Sequence, residues 1–145
     1  IIGDRGLSCY LDKDNYYVEN TLICCLLKRD LKDKFKFNKE ECELSKKYKL
    51  LFLLAILNSK LVTYYFKTKL GDKLQIYNRA VELLPIKSVN FADKKQKFLH
   101  NEISNMVDKW LKLNRQIQNI PENSDKWHKL KKEIGNLDNT IDVEV

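Results

Sequence analysis

The stretch Tyr48–Lys87, YKLLFLLAILNSKLVTYYFKTKLGDKLQIYNRAVELLPIK, decides how the rest of this chain is read. It opens as an apolar helix, reaches Gly71, passes through a polar segment and stops at Leu83-Leu-Pro-Ile86. The apolar run Leu50–Leu57 is far shorter than the ~20 residues a bilayer crossing needs, so it predicts a buried helix and no membrane association. Charge singles out the same region. Residues 46–90 hold nine Lys and Arg against two acids, Asp72 and Glu82, a surplus equal to the formal net charge of +7 of the whole chain. Excess positive charge confined to one segment, next to Gln, Tyr, Asn and Arg, suggests a surface that faces a polyanion. A solvated Lys-rich helix gives the same count.

Working outward, 145 residues with 43% hydrophobic content, seven Tyr and six Phe argue for a globular chain with a real core. Four Gly and two Pro leave little room for linkers. The start, Ile-Ile-Gly-Asp, has no targeting pattern, and both ends read as cuts from a longer polypeptide. Cys9, Cys24, Cys25 and Cys42 include no CxxC pair, so buried thiols of a cytoplasmic protein are expected rather than a metal site or a disulfide framework.

Residues 1–45 read as β-structure with loops. Gly6–Leu11 has strand composition, Asp12–Asn15 is a turn cluster, and Tyr16–Lys28 returns as a longer strand. Its apolar part, Leu22–Leu27, lacks alternation, as expected of a strand covered on both faces. Lys28–Lys39 is expected to be a loop. Ser45 is then the predicted N-cap of one long helix reaching Leu70, with Gly71 ending it. Leu50, Leu53, Leu54, Leu57, Leu61, Tyr64 and Tyr65 form its core stripe. Asn58-Ser59 interrupts that stripe, and Asn58 is expected to bond the backbone of a neighbouring element.

From Phe91 the pattern changes. Leu99, Ile103, Met106, Trp110, Leu113, Ile117 and Ile120 follow alternating steps of four and three. Pro121–Asp125 interrupts, and Trp127, Leu130, Ile134, Leu137 and Ile141 resume the alternation. The expectation is an antiparallel, coiled-coil-like helical hairpin, packed within one chain or pairing two chains as a homodimer. The predicted fold is therefore α+β: a mixed β recognition lobe with one long buried helix over 1–90, then the hairpin over 91–145.

No phosphate-cradling glycine loop, nucleophile elbow or metal-ligand spacing occurs, and His100 and His128 are expected on the surface of the hairpin helices. The expected assignment is non-catalytic, with no metal site and no cofactor in this chain.

Three segments in order, Leu53–Leu61, Tyr64–Phe66 and Leu83–Ile86, together with Asp14–Leu22 upstream, carry a resemblance. They resemble the C-terminal, TaqI-like specificity domain of type II restriction-modification enzymes that fuse an adenine-specific DNA methyltransferase to its target-recognition region. Type I specificity subunits share the arrangement, here with Gly71 and Gln75 in the turn. Their usual Pro-rich continuation is replaced by Lys87–Phe91, which favours the fused type. The resemblance implies double-stranded DNA and the methyltransferase domain of a parent chain as partners. It also implies S-adenosylmethionine and Mg in that parent, and a cytoplasmic location. Asn or Gln reads adenine and Arg reads guanine in the major groove. Gln75, Asn78 and Arg79, with Tyr77 among them, are thus the candidate reading head, and Lys69 and Lys73 the flanking phosphate contacts. Asn78 and Arg79 acting as caps of the next element is the structural alternative. A helical interaction or dimerisation module without DNA binding is the competing function.

Overall fold

A computed structural model describes residues 2–3, 6–13, 16, 22–31, 37–70 and 81–145. Two minimal strands, β1 (Ile2–Gly3) and β2 (Gly6–Leu7), pair antiparallel, with Ile2 opposite Leu7 and Gly3 opposite Gly6. A 3-10 turn follows at Lys28–Asp30, then helices α1 (Lys39–Lys47), α2 (Leu50–Asn58) and α3 (Lys60–Tyr65). α3 runs into a π turn at Phe66–Leu70. Beyond the loop at 81–93 come α4 (Lys94–Ile117) and α5 (Asp125–Glu144).

This corrects the α+β expectation. Among the described residues the architecture is helical, and the two-residue ladder is its only extended pairing. Leu22–Leu27 is irregular rather than a strand covered on both faces: Leu27 is buried while Leu26 stays 63% exposed. Its apolar residues are β-formers by composition, but among the described residues no neighbouring strand completes a ladder there, and β-preference depends on such a neighbour. The thiols follow suit. Cys24 and Cys25 are exposed and Cys9 and Cys42 half-buried, so the expectation of buried cysteines fails.

The predicted single helix from Ser45 to Leu70 is broken twice. Asn38 caps α1, accepting a hydrogen bond from the Glu40 amide at 3.0 Å. Glu40 and Glu41 in its first turn and Lys46 and Lys47 in its last complement the helix dipole. Ser45 lies inside this helix. Its hydroxyl donates to the Cys42 carbonyl and accepts from the Arg29 amide, tying the 3-10 turn to α1. Tyr48 and Lys49 then turn extended, with ψ of 139° and 135°.

The second break is chemical. The Ser59 hydroxyl donates to the Ile56 carbonyl at 2.7 Å and accepts from the Val62 amide at 3.2 Å, so it ends α2 and starts α3. A short polar side chain that bonds nearby backbone competes with the helix ladder in this way. The axes on either side differ by 49°. The buried face nevertheless keeps its helical phase across the bend, through Phe52, Ala55, Ile56, Ser59, Val62 and Phe66, and it lies beside the expected stripe. Val62 and Phe66 enter the core, while Leu61 and Tyr64 leave it.

α2 is apolar on nearly every side and buries Phe52, Ala55 and Ile56. It packs along α4, which also packs along α5. α4 therefore carries two inward stripes. One is the anticipated seam, in which Ile103 and Leu113 are buried, Met106, Trp110 and Ile117 half-buried, and Leu99 exposed. The other, on the α2 side, consists of His100, Ser104, Val107 and Leu111. The Lys109–Glu133 ion pair at 2.8 Å and the burial of Ile141 with Ile103 and Val107 set α4 and α5 antiparallel. Asn123, at φ 64°, takes the left-handed conformation in the reversal, and Ser124 caps α5 through the Trp127 amide. Core side chains from both sides of residue 90, from Leu7 and Phe52 to Ile141, form one continuous cluster.

His100 corrects a further expectation. It is 2% exposed, ringed by Tyr48, Phe52 and Phe91 at centroid distances of 5.8, 4.6 and 5.1 Å. Its Nε2 accepts from the Lys49 amide at 3.2 Å, satisfying an N–H at the start of α2 that no side-chain cap reaches. Burial pushes its pKa down; a side-chain hydrogen bond with Asn101 opposes this, and the Lys49 charge adds to the downward shift.

Candidate nucleic-acid interface

The bend at Ser59 creates a ridge. Because Val62 and Phe66, four residues apart, point into the core, the opposite side of α3 and the π turn points outward. That side presents Lys60, Leu61, Tyr64, Lys67, Thr68 and Lys69, with Leu61 61% and Tyr64 67% exposed. The Thr68 hydroxyl donates to the Tyr64 carbonyl at 2.8 Å, so the π turn satisfies its own backbone with a side chain.

The base of the ridge is fixed on α5. Asp142 accepts from the Lys60 amide at 3.0 Å and from its ammonium group at 2.9 Å, while Asn139 Oδ1 accepts from the same ammonium at 3.2 Å. Hydrogen bonding to Asp142 raises the Lys60 pKa. Asp138, one turn back along α5, has its carboxyl raised by burial and by the neighbouring Asp142 charge. Lys60 is thus an anchoring cation whose charge is locally balanced. Lys69, in contrast, is exposed and forms no ion pair among the described residues.

Of the candidate site residues, Lys69 is therefore placed, at the end of the π turn and facing solvent. Lys73, Gln75, Tyr77, Asn78 and Arg79 lie outside the described residues. The chain leads straight from Lys69 into that segment. On its far side, Leu84 returns to the core at 7% exposure, as Phe66 does before it.

Two ridge residues escaped the sequence reading, Leu61 and Tyr64, because helical spacing assigned them to the core stripe. The signal lay in a second stripe at helical spacing, Phe52, Ala55, Ile56, Val62 and Phe66, which passes through the buried Ser59. Asn58 itself behaves as anticipated and bonds the backbone of Cys9.

Among the described residues no three of His, Cys, Asp and Glu come together as a metal site, and no single helix is long and apolar enough to cross a membrane. No protein-family model matches this chain, nor does any curated protein or solved structure.

Proposed function

We propose that this chain is a non-catalytic module for sequence-specific recognition of double-stranded DNA. In this reading it serves a restriction-modification enzyme whose methyltransferase and endonuclease chemistry, with S-adenosylmethionine and Mg, belongs to other parts of a cytoplasmic parent polypeptide. The observation that carries it is the outward ridge of α3 and the π turn, which ends on Lys69, without an ion pair among the described residues, and leads to the segment holding Lys73, Gln75, Tyr77, Asn78 and Arg79. Cations along such a ridge gain affinity for a duplex by releasing its counterions. Tyr64 and Leu61 offer an apolar surface for sugar edges and thymine methyl groups, and the amide and guanidinium groups of the next segment supply base readout.

The test is duplex binding by the full chain and its Lys69→Ala variant, followed by fluorescence anisotropy on several unrelated duplexes. Lys69→Ala lowers affinity by the same factor on every sequence and makes the log–log salt slope shallower by about one. Wild-type affinity and slope in that variant remove the ridge from the account.

A second reading, an interaction module, draws on the far end of the hairpin. There Ile117, Ile120, Trp127, Leu130 and Ile134 are only half-buried. Such a module shows no salt-dependent duplex binding.

A further inference from the structure

At the opposite end of α2 from the ridge, about 13 Å away along a nine-residue helix, lies a partly open cleft of about 270 Å3. Its lining is Lys47 from the end of α1, Phe91 from the loop before α4, and Lys97 and Asn101 from α4 itself. Neither lysine forms an ion pair among the described residues. A flat apolar ring, two ammonium groups without an ion pair among the described residues and an amide line one small space.

The walls are held in place. Tyr48 and His100 both meet Phe91 edge-on at 5.1 Å, at interplanar angles of 85° and 74°. The Tyr48 hydroxyl accepts from the Val89 amide at 2.8 Å, anchoring the strand of loop that delivers Phe91. Asn90 takes a hydrogen bond from the Ala92 amide, and its own amide donates to Gln96 Oε1 at 2.9 Å. Asp93 caps α4 through the Lys95 amide, so Lys97 and Asn101 stand on the same side of a well-started helix, four residues apart. The ring is thus pre-set before any ligand arrives, which lowers the ordering cost of binding.

We propose that this cleft binds one nucleotide unit, its base stacked on Phe91, its phosphate between Lys47 and Lys97, and a base edge within reach of the Asn101 amide. Two point-like cations suit a phosphate group, and an aromatic face accepts any base. An amide that donates and accepts at once suits a base edge. The same chemistry is offered by a free mononucleotide and by one unstacked residue of a single strand. The proposal is independent of the duplex-binding ridge, because none of its residues lies on α3 or in the segment beyond it.

The experiment is isothermal titration of the full chain with adenosine 5′-monophosphate, adenosine, inorganic phosphate and a 5′-phosphorylated tetranucleotide. Adenosine monophosphate is expected to bind at least tenfold tighter than adenosine or phosphate alone. The double variant Lys47→Gln, Lys97→Gln, in two exposed side chains outside the core, is expected to lose at least tenfold for the nucleotide. Phe91→Leu is expected to lose affinity for the nucleotide and keep that for phosphate, with circular dichroism confirming its fold. A tetranucleotide more than tenfold tighter than the mononucleotide assigns the cleft to a strand, and equal affinities assign it to a free nucleotide. No binding of either up to millimolar concentration, or nucleotide binding unaltered in the lysine double variant, overturns the proposal.

Discussion

The side-chain amide of Asn58 pairs with both backbone polar groups of Cys9: its Oδ1 accepts from the Cys9 amide at 2.8 Å and its Nδ2 donates to the Cys9 carbonyl at 3.0 Å. A third bond, from Nδ2 to the Leu54 carbonyl at 3.1 Å, ties the same amide to the last turn of α2. One side chain so provides the two-way pairing that a neighbouring strand gives in a sheet, and it fixes the N-terminal segment at the bend where the ridge begins. Each such bond is worth about 1 kcal/mol net, less where water competes. Asn58→Ala is expected to lower stability by about 1–3 kcal/mol in urea denaturation. Asn58→Asp keeps the acceptor and loses both donors, so it should fall between the two. A change below about 0.5 kcal/mol in both variants means that the N-terminal segment is held by other contacts.

His100 makes stability depend on pH, and the sign follows from the downward shift of its pKa. The unfolded chain has an ordinary imidazole, with pKa about 6.5, and binds the proton first. Below about that pH the unfolded state therefore takes up protons that the folded state refuses, so stability falls as pH falls from 7 towards the lower folded pKa and levels off beneath it. Asp138 acts in the opposite sense in a more acid range: its raised carboxyl pKa makes protonation favour the fold. Urea denaturation at pH 7.5, 6.5 and 5.5 is expected to show declining stability in the wild type. In His100→Phe the baseline drops, because the Lys49 amide loses its acceptor, and the decline over the same interval shrinks. An equal decline in both proteins would assign the pH dependence elsewhere.

Trp110 combines a half-buried ring with an indole Nε1 that is buried and has no hydrogen-bond partner among the described residues. Trp110→Ala removes the ring from the packing of α4 and should cost about 3 kcal/mol. Trp110→Phe keeps most of the apolar surface and deletes the unsatisfied N–H, whose burial costs about 1–3 kcal/mol. It is expected to be close to neutral. A Phe variant as damaged as the Ala variant would mean that the indole N–H has an acceptor in solution.

What the sequence disclosed and what it concealed divide along one physical line: local signals read well, and signals that depend on a neighbour did not. Asn58 was legible because a polar amide inside an apolar run has to find partners. The cluster at Pro121–Asp125 marks the place where α4 gives way to α5. Leu22–Leu27 misled because strand composition says nothing about whether a second strand is present to pair with. His100 misled because the helix carrying it packs on two sides. The stripe His100, Ser104, Val107, Leu111 runs parallel to the seam, but its polar members disguised it. Leu61 and Tyr64 misled because α2 is apolar on nearly every side, so the sequence offered two stripes, and the buried one runs through Phe52, Ile56, Ser59, Val62 and Phe66. Gln75, Asn78 and Arg79 owe their candidacy to side-chain chemistry alone.

Under the proposed role, reading and positioning contacts should separate in a specificity assay on the restriction-modification polypeptide that this role implies. Lys73→Ala is expected to weaken binding evenly on all sequences, as Lys69→Ala does. Gln75→Ala or Arg79→Ala is expected to relax the preference at one base position, at about 1–3 kcal/mol against the cognate site. Sequence preference unchanged in both, with the fold intact by circular dichroism, would place the reading head elsewhere.

The central claim, an electrostatic face for duplex DNA, is tested most directly by the salt dependence of binding by the full chain. Titrating a labelled duplex by anisotropy from 50 to 200 mM NaCl should give log–log plots with a slope near −0.9 for each phosphate neutralised, about −3 to −4 if Lys67, Lys69, Lys73 and Arg79 each neutralise one. The dissociation constant near physiological salt should lie in the range ~1–100 µM typical of non-specific contacts. An affinity that stays flat across that range, or no binding at the low-salt end, contradicts the account.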